Sequence, residues 1–92
     1  MMQEERILRV RDMEDRLNRI LAWLSAPDPR TDPAEDVRAL DRYYRSELWR
    51  LDFEADEAGL LPPDLPRGVL SEDGIYNALA DYAAHLPAEE ST

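Results

Sequence analysis

At 92 residues, 10.6 kDa and no cysteine, the chain can build one small core. That excludes a large cofactor-binding α/β fold, disulfides and thiolate metal sites, and leaves the redox compartment undetermined. Its 21 acids against 11 bases give a formal charge of −10, which argues against a nucleic-acid backbone or an anionic membrane as partner, since both demand a basic footprint.

The charge is uneven along the chain. Residues 1–25 hold five acids and five arginines, residues 26–52 seven and five, and residues 53–92 nine acids against Arg67 alone, so the net runs 0, −2 and −8. Every base is arginine, which GC-rich codon usage explains without a functional role. No apolar run approaches the roughly 18–20 residues of a membrane span and no apolar leader precedes the first helix, so a soluble cytoplasmic protein is expected. Residues 1–4 and 87–92 read as frayed ends of a single helical domain.

In residues 5–25, Ile7, Val10, Met13, Leu17, Ile20, Leu21 and Leu24 recur at spacings of three and four, which predicts an amphipathic helix. On its other face Glu5–Arg9, Asp12–Arg16 and Asp15–Arg19 are spaced as acid-before-base pairs along a solvated surface. Trp23 is placed to cover the edge of the bundle. The segment from Ala26 to Pro33, with three prolines, reads as a connecting loop. Asp32, Pro33 and Glu35 then match an N-cap, a first-turn proline and a capping-box acid. They predict a second helix over 33–54, with Val37, Leu40, Tyr44, Leu48 and Leu51 inward, ended at the latest by Gly59 or Pro62-Pro63.

Residues 56–70 contain three prolines and two glycines but also Leu60, Leu61, Leu65, Val69 and Leu70. A flexible linker would not carry five large aliphatics, so an ordered, packed loop is expected. Ser71, followed by Glu72 and Asp73, reads as the cap of a third helix over 71–86, with Ile75, Leu79, Tyr82 and Leu86 on one face. The fold class is all-α, a three-helix bundle with an ordered loop between helices two and three.

The carboxylates Asp52, Glu54, Asp56 and Glu57 alternate as in a calcium loop, but Glu57 and Pro63 stand where an EF-hand needs glycine and a bidentate acid. Acids near the C-terminal end of a helix call for a compensating base, and Arg67, folding back onto Asp56, Glu57 or Asp73, is the nearest in sequence. His85 is the one histidine and reads as a surface residue rather than a general base. No nucleophile elbow and no glycine-rich phosphate loop is present, so no catalytic residue, metal or cofactor is assigned. Six of the seven aromatics, Tyr43, Tyr44, Trp49, Phe53, Tyr76 and Tyr82, follow residue 42. They form either core or an exposed aromatic patch within an acidic rim, a surface suited to a basic or amphipathic segment.

The runs Tyr43-Tyr-Arg-Ser-Glu-Leu-Trp49, Asp52-Phe-Glu-Ala-Asp-Glu-Ala-Gly-Leu-Leu-Pro62 and Arg67-Gly-Val-Leu-Ser-Glu-Asp-Gly-Ile-Tyr76 resemble a family of small bacterial proteins known only as a domain of unknown function. The resemblance spans residues 7–82 and is most specific over 43–79. It implies a short all-helical protein and transfers no mechanism.

The expected function is a non-catalytic protein–protein interaction module whose surface includes Tyr43, Trp49, Asp56, Glu57, Arg67 and Tyr76, its protein partner unidentified. Two alternatives are a small enzyme or metal-dependent protein using Asp52, Glu54, Asp56 and Glu57, and a nucleic-acid mimic resting on net charge alone. Weak homodimerisation through the apolar stripe of the first helix is a further option, over barely three heptads.

Overall fold

The computed structural model describes residues 2–71 and 73–85, and over them the chain is all-helical. Four α-helices, α1 (Met2–Ser25), α2 (Ala34–Tyr44), α3 (Glu47–Glu57) and α4 (Gly74–Ala83), are joined by 3-10 turns at Pro29–Thr31 and Gly68–Leu70. Helix α1 begins at Met2, three residues before the expected start. Met1, Leu86 and the expected frayed end from Pro87 to Thr92 lie outside the described residues.

The apolar stripe of α1 forms one wall of the core. Val10, Leu17 and Ile20 are buried, and Ile7, Met13 and Leu24 pack beside them, whereas Leu21 falls off the stripe and is exposed. This stripe faces α2, α4 and the Gly68–Leu70 turn of the same chain. The seam considered for self-association is therefore already filled from within.

The predicted second helix is two helices. After Tyr44 the backbone turns at Arg45 and Ser46, and Ser46 is extended, with φ −90° and ψ 162°. The Ser46 amide and hydroxyl both donate to the Tyr43 carbonyl, at 3.0 and 2.7 Å, satisfying a group that a helix end leaves open. Because α3 is redirected there, Leu48 and Leu51, expected inward, emerge as exposed residues, while Asp52 and Ala55 turn into the protein.

Helix α3 ends three residues later than expected, at Glu57, and Gly59 at φ +73° terminates it. The Gly59 amide donates to the Asp56 carbonyl and the Leu60 amide to that of Ala55, the paired bonds of a Schellman motif. The segment that follows is packed as anticipated: Leu61, Leu65, Val69 and Leu70 are buried, and Leu60 alone of its five aliphatics is exposed. Glu14 of α1 accepts a hydrogen bond from the Val69 amide at 3.1 Å and thereby holds the Gly68–Leu70 turn against α1.

Two capping expectations resolve differently. Asp32 does not cap α2, since its carboxylate accepts from the Tyr82 hydroxyl at 2.6 Å and links the first loop to α4. Ser71 does act at the start of α4: its hydroxyl accepts from the Gly74 amide at 2.9 Å and donates to the Gly68 carbonyl at 2.9 Å. A Cβ on Gly74 would lie inside the van der Waals envelope of both the Gly68 carbonyl oxygen and the Ser71 hydroxyl. Gly59, in contrast, needs glycine for its φ while the space around it is open. Gly74→Ala is expected to cost about 2 kcal/mol through overpacking against backbone, and Gly59→Ala about 1 kcal/mol through φ alone. Urea unfolding checks both, and equal costs would contradict the steric account of Gly74.

Candidate functional site

Asp52 is fully buried, and each of its oxygens accepts two hydrogen bonds. Oδ1 takes Arg6 Nε at 3.1 Å and Arg9 Nη2 at 2.6 Å; Oδ2 takes Arg9 Nε at 2.8 Å and the Tyr43 hydroxyl at 2.6 Å. Three helices thus converge on one carboxylate. The donors are half-covered arginines of α1 and the buried phenol of α2, so the charge is matched and its lone pairs are filled.

The four carboxylates at 52–57 do not gather into a site. Asp52 lies behind its arginines, Asp56 accepts from Arg67, and Glu54 and Glu57 are exposed. Among the described residues, no group of three or more His, Cys, Asp or Glu is arranged to hold a metal ion. His85 is exposed, with its Nδ1 against the Asp81 carbonyl and its ring at the edge of Trp23. Trp23 covers the end of the core, its ring nitrogen donating to the Asp28 carbonyl at 2.8 Å and its ring 5.7 Å from that of Tyr82.

Arg67 makes the fold-back expected of it. It donates to the Asp56 carboxylate, to the Pro62 carbonyl at 2.6 Å and to the Leu65 carbonyl at 3.2 Å, clamping the 60–67 segment to the end of α3. Trp49 performs a similar task one turn into α3, where its ring nitrogen donates to the Val69 carbonyl at 2.8 Å.

Of the six residues assigned to an interaction surface, Tyr43 is the one that is buried. It is 4 % exposed, because its hydroxyl is the donor that reaches Asp52 in the interior. Trp49, Asp56 and Arg67 are half-buried and bonded as described, and Glu57 is exposed. Tyr76 is 60 % exposed on the first turns of α4. The aromatics divide: Tyr43 and Tyr82 are core, while Tyr44, Trp49 and Phe53 form a half-buried row. Tyr44 and Trp49 meet edge to face at 5.0 Å, and Trp49 stacks on Phe53 at 5.2 Å.

Tyr44, at the α2 end of this row, also lines an open groove of about 340 Å³ between α2 and α4, opposite Tyr76 and Leu79. The ion pair Asp41–Arg45, at 2.9 Å, stands on its α2 side. Neither the Tyr44 nor the Tyr76 hydroxyl has a hydrogen-bond partner among the described residues, in contrast to Tyr43 and Tyr82. Tyr44 was read from the sequence both as an inward residue of a continuous helix and as one of six aromatics forming either core or an exposed patch, and it stands half-buried at the edge of the groove.

A protein-family model described as domain of unknown function (DUF4298) matches residues 10–88. The chain belongs to this family. Comparisons with curated proteins and with solved structures gave no match. No helix among the described residues of this family member is long and apolar enough to cross a membrane.

The Asp52 cluster carries its own pH signature. Burial pushes the carboxyl up, but hydrogen bonds from Arg9 and Tyr43, the Arg9 charge and the bond from Arg6 outweigh it and hold it below the ordinary carboxylate value. A depressed folded pKa contributes stability in full above the unfolded value of about 4, and this is lost as pH falls through the lower folded value. Tyr43 is displaced the other way, raised by burial first and then by the bond to, and the charge of, Asp52. Its contribution is complete below the unfolded value of about 10 and is lost as pH rises beyond it. Asp52→Asn is expected to cost about 3 kcal/mol at neutral pH, because two arginines lose their counter-charge, and to flatten the acid limb of the stability profile. Tyr43→Phe should cost about 1–2 kcal/mol and flatten the alkaline limb. Urea denaturation across pH measures both limbs; an unchanged acid limb in Asp52→Asn would assign it to another carboxylate.

Proposed function

We propose that this protein is a non-catalytic interaction module that receives a segment of a protein partner in the aromatic groove between α2 and α4. The observation that carries this reading is Tyr76, a large aromatic left 60 % exposed beside Leu79 and across the groove from Tyr44. Aromatics with an apolar body and a free polar tip are the residues over-represented at binding hot spots, since they bring contact area at little entropic cost. Two unengaged phenol hydroxyls offer such tips.

The partner segment best suited to this groove is basic and amphipathic. Support comes from the −8 carried by residues 53–92, which raises the local concentration of cations, and from tyrosine faces able to receive a guanidinium or ammonium group. A catalytic reading has less to stand on, because the acids at 52–57 are dispersed into a buried ion pair, a loop clamp and two solvated side chains. A nucleic-acid mimic rests on net charge alone.

Titration of the labelled protein with an arginine- and leucine-containing amphipathic peptide, followed by amide chemical shifts, tests the proposal. Shifts are expected at residues 41–45 and 76–80. Tyr76→Ser is expected to leave stability within about 0.5 kcal/mol of wild type, as befits an exposed position, and to weaken binding roughly ten-fold. Binding that bypasses both segments, or that is indifferent to Tyr76, would dismiss the groove.

A further inference from the structure

A second groove, of about 340 Å³, runs between α1 and α2 and is built from the opposite kind of chemistry. Arg9 and Arg16 of α1 and Arg42 of α2 line it, Met13 and Ala39 are among its apolar lining residues, and Leu48 contributes from the first turn of α3. No carboxylate lines it among the described residues, in a chain where acids outnumber bases by 21 to 11. We propose that this groove binds a short acidic peptide segment, in which carboxylates meet the arginines and an aliphatic side chain lies against Met13 and Leu48.

Three observations carry the assignment. Two of the arginines are fixed in advance: Arg9 is held by the bidentate pairing with Asp52, and Arg16 is held by Asp12 at 3.2 Å and Asp36 at 3.1 Å. Their planar heads therefore do not have to be ordered when a ligand arrives. The third, Arg42, is exposed, and its guanidinium has no hydrogen bond or ion pair with any described residue, although carboxylates are abundant on this surface. Leu48 is 46 % exposed beside these cations, an aliphatic residue that the turn at Ser46 places on the surface rather than in the core.

Charge separates this occupant from other anions. A long polyanion such as nucleic acid meets the field of a protein carrying −10, whereas a short segment with a few carboxylates responds mainly to groups within a Debye length of about 8 Å. A bare phosphate would satisfy the arginines and leave Met13 and Leu48 unused. The groove lies on different residues from the one between α2 and α4, so the two readings stand or fall separately.

The test is fluorescence anisotropy with a short fluorescein-labelled peptide of glutamate and leucine, against the same peptide with glutamine in place of glutamate. The glutamate peptide is expected to bind wild type and Tyr76→Ser equally, to weaken with added salt, and to lose about ten-fold or more in affinity on Arg42→Glu. Arg30→Glu changes net charge by the same amount on the distant Pro29–Thr31 turn, and should alter affinity by no more than about two-fold. Leu48→Ser should lower affinity about five-fold, reporting the apolar half of the groove. Melting curves of Arg42→Glu and Leu48→Ser close to wild type establish that both are folded. The proposal is overturned if the glutamate peptide does not bind, if the glutamine peptide binds as tightly, or if Arg30→Glu and Arg42→Glu lose affinity equally. It is also overturned if inorganic phosphate displaces the peptide at the peptide's own concentration, since the site then reads charge alone.

Discussion

The arrangement depends on one buried carboxylate. Asp52 cannot be solvated where it lies, and an isolated charge in such a place costs several kcal/mol, so its position commits the chain to bringing donors to it. Those donors come from α1 and α2, and the geometry dictates how α2 and α3 relate. Tyr43 and Asp52 are nine residues apart, which in one continuous helix places them about 180° apart on opposite faces. The bond between them at 2.6 Å therefore requires the turn at Arg45 and Ser46. Net stabilisation by such a pair is modest, because desolvation offsets much of the attraction, but leaving either partner alone is costly. What the cluster fixes is the angle at which α3 leaves α2.

Both grooves follow from that angle. Turning α3 brings Trp49 to the Val69 carbonyl and aligns it between Tyr44 and Phe53, so the aromatic row and the α2–α4 groove share Tyr44. The same turn leaves Leu48 at the mouth of the arginine-lined groove and holds Arg9 in its wall. A charge of −10 taken as a property of the whole molecule would forecast an evenly acidic surface. Instead, acids of the central segment are drawn onto arginines of α1, as with Asp36 and Asp52, and the groove between α1 and α2 is lined by three arginines and, among the described residues, no carboxylate.

Helicity, the packing of the 60–70 segment, the stop at Gly59 and the pairing of Arg67 were legible because each depends on local chemistry: apolar period, aliphatic content, backbone freedom, or a base short in sequence from its acid. The break between α2 and α3 was hidden, since Val37, Leu40, Tyr44, Leu48 and Leu51 keep a helical period straight across it and neither proline nor glycine marks it. Ser46 followed by Glu47 was the one local sign, a cap-type residue before a first-turn acid, and it is outvoted by the periodicity. Pairing on α1 was also only partly legible. Asp12–Arg16 forms, but Arg9 leaves Glu5 for Asp52 and Arg19 is drawn from Asp15 to Asp36, because an exposed neighbour offers a few tenths of a kcal/mol and a covered carboxylate offers more. Asp32 and Tyr43 were misplaced for the same reason: partners 50 and nine residues away in sequence decide their positions.

Arginine without lysine, which codon usage explains at the level of the sequence, has a physical consequence at the level of the fold. Arg9 meets Asp52 and Arg19 meets Asp36 through Nε and Nη2 together, each fork matching both oxygens of one carboxylate. Arg67 reaches three acceptors at once, one carboxylate and two backbone carbonyls spread over the 56–65 segment. An ammonium group is a point charge on a flexible stem, and could neutralise these acids without fixing the direction from which they are approached. In a chain with so little core, direction is what positions α3 and the loop after it, so a lysine at 9 would keep the charge balance and lose the constraint from which both grooves arise, and a lysine at 67 would keep the charge and loosen the loop after α3.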